Sequence, residues 1–136
     1  MFESVQIVSV IGTTFFMMAS STIWYSPWLF GNAWLKELGV TEAEIEASRN
    51  SLVPQLLINA FLYICALMVL SSLLTFLKDS SYTLWHVSIA LSVLPVALFG
   101  TTVLWENRTV KYFLINAGFY TYFVIVSTFM LSYWPW

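Results

Sequence analysis

The chain has 136 residues, of which 60% are hydrophobic and only 9% charged, with a formal net charge of −2. A soluble domain carries about 25% charged residues, so this composition excludes a water-exposed globule and points to one membrane domain over residues 1–136. No basic patch exists to neutralise phosphates, which excludes nucleic acid as a partner. The single cysteine, Cys65, excludes an internal disulfide.

The N-terminal MFESVQ lacks the positive segment of a cleavable signal peptide, so the first hydrophobic run is expected to stay as a span. A helix needs about 20 mostly apolar residues to cross the hydrocarbon core. Four runs satisfy this, at about 5–25, 52–77, 84–105 and 112–134. The alternating segments of about 10 residues that a membrane β-barrel requires are absent. The expected fold is all-α: a polytopic four-transmembrane-helix bundle with a short interfacial helical segment between helices 1 and 2.

Span one carries Ser9, Thr13, Phe16 and Ser20 on one stripe and ends in IWYSPWLFGNAW. Trp24 and Tyr25 suit an aromatic belt at the membrane interface. Ser26 followed by Pro27 suits an N-cap with proline at the first helical position, opening a surface helix over about 27–38. Phe30, Trp34 and Leu38 would then be its membrane-facing side. Gly31, set between these aromatics, suggests close approach of another backbone or a ligand. Gly39 fits the residue just past a helix end. Thr41 and Glu44 have the spacing of a capping box, opening a second surface helix over about 42–50.

Span two places Gln55 and Asn59 four apart on one face. The short polar links at 78–81 and 106–109 predict that spans two, three and four form consecutive antiparallel hairpins. Span three carries Ser88, Ser92, Pro95, Phe99, Thr102 and Glu106 on one stripe, with Pro95 expected to kink it. Span four does the same with Asn116, Tyr120, Phe123 and Ser127. Such stripes serve helix packing, where small and hydroxyl residues allow close approach. They also outline a candidate polar site of Gln55, Asn59, Thr102, Glu106, Arg108 and Asn116. Glu106 and Arg108 are spaced to form an interfacial ion pair.

Lys36, Arg49, Arg108 and Lys111 fall on the side of the first and third links, against Lys78 alone on the other. By the excess of positive charge, those links are cytoplasmic and both termini outside. No catalytic motif is present, so no enzymatic activity is expected. The lone His86 has no second ligand at useful spacing, so neither a metal nor another cofactor is expected.

Two stretches carry a family resemblance. WYSPWLFGNAW, residues 24–34, and ENR with FLINAG, residues 106–118, resemble small bacterial membrane proteins grouped as domain of unknown function 1761. The matching positions are Trp24, Tyr25, Ser26, Pro27, Phe30, Gly31, Trp34, Glu106, Arg108, Asn116 and Gly118, with Tyr120 just beyond. The resemblance implies a four-span protein of the bacterial inner membrane without an assigned biochemical function or catalytic residue. Two function classes fit, beside a weaker third, lipid or quinone binding between helices, suggested by the 18% aromatic content. One is a small oligomeric transporter or channel-like protein with a cytoplasm-facing polar site. The other is a non-catalytic scaffold or accessory subunit of a larger membrane complex. The expected partners are the lipid bilayer and further protein chains, either copies of this one or other subunits.

Overall fold

The computed structural model describes residues 4–78 and 81–134. The described residues form six α-helices: α1 (Ser4–Trp24), α2 (Gly31–Leu38), α3 (Glu42–Ser48), α4 (Leu52–Leu77), α5 (Leu84–Trp105) and α6 (Val110–Ser132). A single 3₁₀ turn, Arg49–Ser51, joins α3 to α4. Helices α1, α4, α5 and α6 are long and apolar enough to cross a membrane. The protein is therefore an all-α, multi-pass membrane protein, as its composition requires.

Side-chain exposure follows the logic of a bilayer solvent. Phe15, Phe61, Phe76 and Leu104 stand exposed, while Ser9, Thr13, Ser88, Ser92, Ser127 and Thr128 are buried. Lipid tails are as apolar as leucine, so burying leucine contributes little; small hydroxyl residues instead let helices approach closely. Several of these hydroxyls donate to the carbonyl one turn back in their own helix, as Thr14 does to Val10 and Ser92 to Ser88. A small apolar cluster of Val10, Leu67 and Leu131 closes the end of the bundle where α1 begins and α6 finishes. Phe16 departs from the expected span-one stripe: it is exposed, and Met17 takes the buried place beside Thr13 and Thr14.

Helix α6 is the hub. It packs against α5, α1, α4 and α2, and α1 packs also against α4. The α5–α6 hairpin forms as its polar turn predicts, with Asn107 in the left-handed conformation and the Arg108 N–H bonded to the Val103 carbonyl. The expected α4–α5 hairpin is corrected. Both helices pack on α6, and no extensive packing joins them to each other. The turn that links them falls partly outside the described residues, at Asp79 and Ser80. Helix α5 runs unbroken through Pro95.

Helix α4 also leaves the bundle at its start. Residues 52–58 are all exposed. At about 3.6 residues per turn, these seven residues make about two turns in which no side chain is buried. Within α4 only Leu67 and Ser71, further along, are buried.

The surface segment is built as its caps dictate, with one change. Thr41 and Glu44 form the capping box reciprocally, and Gly39 closes α2 at φ 70. Replacing Thr41 by alanine is expected to cost about 1 kcal/mol of local helix stability, read as faster amide exchange confined to α3. The first surface helix, however, begins at Gly31 and not at Pro27. Ser26 does accept from the Trp28 N–H, as a cap would, and donates back to the Ile23 carbonyl, but residues 25–30 form a tight turn and not the start of a helix.

Candidate functional site

That turn brings the two motif segments together. Helices α1 and α6 run antiparallel, with Ser20 meeting Tyr122 and Trp24 meeting Ile115. The Trp24 indole N–H donates to the Ile115 carbonyl at 3.1 Å, and its ring packs against Phe30, Phe119 and Tyr122. The Tyr25 hydroxyl donates to Asn116 Oδ1 at 2.9 Å, while Asn116 Nδ2 donates to the Tyr112 carbonyl. Trp34, from α2, lies against the Tyr25 ring with centroids 5.1 Å apart. Gly118 lies under Trp24, where a β-carbon would stand 3.3 Å from its ring.

These contacts correct the expected roles of the aromatics. Trp24 and Tyr25 are turned into the bundle, with Phe30 of the turn packing on Trp24 and Trp34 of α2 on Tyr25. Trp28, at 89% exposure, faces outward with Ile23 and Leu29, and Phe30 stays partly exposed. Trp105, 90% exposed, keeps the character of an interfacial belt. Gly31 is explained by backbone approach. A β-carbon there would stand 2.3 Å from the Tyr25 carbonyl oxygen and 2.6 Å from the Ser26 carbonyl carbon.

Around Tyr25 the bundle gathers further hydroxyls. Tyr120, Tyr63 and Tyr112 all lie within electrostatic reach of it. Tyr63, on α4, packs against Phe123 of α6 with centroids 4.8 Å apart, and has Asn59 and Ser21 as polar neighbours. Tyr120 packs edge-on against Phe99 of α5. Gln55, Asn59 and Tyr63 follow one another at four-residue steps along α4, so they share one side of that helix. These side chains form a polar cluster at the α2 end of the bundle, called the vestibule below: Tyr25, Tyr112, Asn116 and Tyr120, with Asn59 and Tyr63 of α4 beside them.

The sequence-derived candidates divide accordingly. Asn116 is at the heart of this region, Asn59 borders it, and Gln55 sits exposed one turn away, bonded to Ser51. Thr102 is exposed and bonds within its own helix, to the Leu98 carbonyl. Glu106 and Arg108 form the expected exposed ion pair at 3.5 Å, with Arg108 also over the Tyr112 ring. Exposed pairs contribute about 0–1 kcal/mol. Replacing Glu106 by glutamine is therefore expected to leave thermal unfolding of the purified protein essentially unchanged.

Sequence reasoning missed Glu37. Its side chain is only 15% exposed, accepts a hydrogen bond from the Thr109 hydroxyl, and lies 4.0 Å from Lys111 Nζ. Thr109 is the N-cap of α6 and accepts from the Tyr112 N–H. A carboxylate at this position complements the positive end of the helix dipole. Glu37 thus clamps α2 onto the start of α6. The available signal was an acidic residue at the end of α2 facing a threonine cap, but only the fold makes them neighbours. Trp34 Nε1 is buried in this junction and has no hydrogen-bond partner.

No group of three or more His, Cys, Asp or Glu side chains that could hold a metal ion occurs among the described residues. No curated protein and no solved structure matches the chain. A family of proteins of unknown function, DUF1761, matches residues 8–132, a stretch that contains α2, the vestibule and both motif segments. By that match the chain belongs to the DUF1761 family.

Proposed function

We propose that the protein is a small transport-like or channel-like protein of the bacterial inner membrane, with the vestibule as its polar site and both termini outside. The observation that carries this reading is the convergence of Tyr25, Tyr63, Tyr112, Tyr120 and Asn116 beside the unpacked start of α4. Polar side chains inside a membrane domain are costly and concentrate where a pathway or a ligand uses them. The excess of Lys and Arg on the α2 side supports a vestibule that faces the cytoplasm.

The test is thiol accessibility. With Cys65 replaced by serine, Asn59→Cys is expected to react with a membrane-impermeant thiol reagent in inside-out vesicles and to stay protected in spheroplasts. A thiol unreactive from both sides overturns the vestibule; one that reacts only in spheroplasts overturns the orientation.

A second reading is favoured by the same unpacked turns of α4: a helix of another chain covers them, making the protein a self-associating or accessory subunit. Native mass spectrometry in mild detergent would then give a dimer or a mixed complex. A lone monomer overturns this reading.

A further inference from the structure

We infer that the vestibule takes its ligand from the surrounding leaflet, and that the ligand is an amphiphile with an uncharged headgroup bearing hydroxyl or carbonyl oxygens. This inference rests on the vestibule reading and names its ligand class.

The first argument is access. Helices α4 and α5 both lean on α6 without extensive packing on each other. Residues 52–58, about the first two turns of α4, are all exposed. The polar cluster is therefore flanked by lipid, and an acyl chain can lie against Phe123 and Phe99 while its head reaches Tyr63 and Tyr120.

The second argument is charge. Tyrosine hydroxyls and asparagine or glutamine amides both donate and accept hydrogen bonds without carrying charge. Helices α4 and α5 contain no Asp, Glu, Lys or Arg, and α6 carries only Lys111, in its first turn. Arg108 and Lys111, at the start of α6, pair with Glu106 and Glu37 and stay partly exposed. A charged headgroup drawn past them, among the side chains of the spans, would lose hydration with no counter-charge there to replace it. An uncharged head loses less and finds hydroxyl and amide partners.

The experiment uses the full chain in phosphatidylcholine nanodiscs. Photoactivatable diacylglycerol and photoactivatable phosphatidic acid of identical acyl chains are offered at equal mole fraction. Labelled peptides are then mapped by mass spectrometry. Diacylglycerol is expected to label residues 55–63 and 112–123 about tenfold more than phosphatidic acid, the ratio set by a preference of about 1.4 kcal/mol. Tyr63→Phe and Tyr120→Phe remove only hydroxyls, and each is expected to lower diacylglycerol labelling severalfold without changing that by phosphatidic acid. Equal labelling by the two probes overturns the inference, as does labelling confined to the outward face of α5 at Val93, Leu94 and Leu98. Asn59→Cys reactivity on the same preparations separates the failures. A reactive thiol with equal labelling overturns the ligand class alone, whereas an unreactive thiol overturns the vestibule and this inference with it.

Discussion

Replacing Gly31 by alanine is expected to destabilise the protein by about 3 kcal/mol, the upper part of the range for inserting a methyl group into a packed site. The added carbon would stand 2.3 Å from the Tyr25 carbonyl oxygen and 2.7 Å from that of Ser26. Those are backbone atoms and cannot rotate aside. The Ser26 carbonyl accepts from the N–H groups of Leu29 and Gly31, and the Trp24 carbonyl from Phe30, so opening the turn breaks its own hydrogen bonds. It also displaces Tyr25 from Asn116. Gly100→Ala is the matched control, because a β-carbon there meets only the Phe113 ring at 3.4 Å. Thermal unfolding in detergent should show a clear loss for Gly31→Ala and little for Gly100→Ala. Equal midpoints would refute this account of the turn.

The second large effect is expected at Asn116. Replacing it by leucine leaves the buried Tyr25 hydroxyl without its acceptor, a loss of about 1–3 kcal/mol. Tyr25→Phe also destabilises, by orphaning Asn116 Oδ1. The double variant removes both partners, so it is expected to be less destabilised than the sum of the two singles. Interhelical hydrogen bonds in membranes contribute about 0.6–2 kcal/mol, and the cycle should return a coupling of that size. Equilibrium unfolding in mixed micelles measures it. Strict additivity would show that the Tyr25–Asn116 bond contributes nothing to holding α1 on α6.

Both effects concern one junction. Trp24 and Tyr25 fix the end of α1 on α6, Trp34 rides on Tyr25, and Glu37 ties the far end of α2 to the α6 cap. Those ties hold the start of α6 against α1 and α2, whereas residues 52–58 at the start of α4 are all exposed. A helix of 26 residues is about 39 Å long, more than the roughly 30 Å hydrocarbon core. Tilting is one way such a helix is accommodated.

The sequence by itself determined the elements. Long apolar runs with few charges dictate spanning helices, because lipid offers no partner for an open backbone. Gly39 and the Thr41–Glu44 box act through local geometry, so their roles were legible without the fold. The same holds for the hydroxyl stripes of α1 and α6, apart from Phe16, and for the Glu106–Arg108 pair across one turn. Proximity of the two motif segments was legible as well, since both lie at the same end of neighbouring spans.

Only the tertiary structure decided which way the aromatics turn. An indole or phenol ring with an apolar body and one polar group suits a membrane interface and a helix interface equally. Trp24 and Trp34 therefore carried no signal of facing inward; the Ile115 carbonyl and the Tyr25 ring supply the reason. The separation of α4 from α5 was likewise hidden, because a short polar link fixes antiparallel direction but not which helix each span packs against. Glu37 reaches Thr109 across 72 residues of sequence, a pairing that no local spacing encodes. IWYSPWLFGNAW was readable as a membrane exit from its composition. Only the packing of α6 against α1 and α2 turns it into a junction that holds Trp24 and Tyr25 on Ile115 and Asn116.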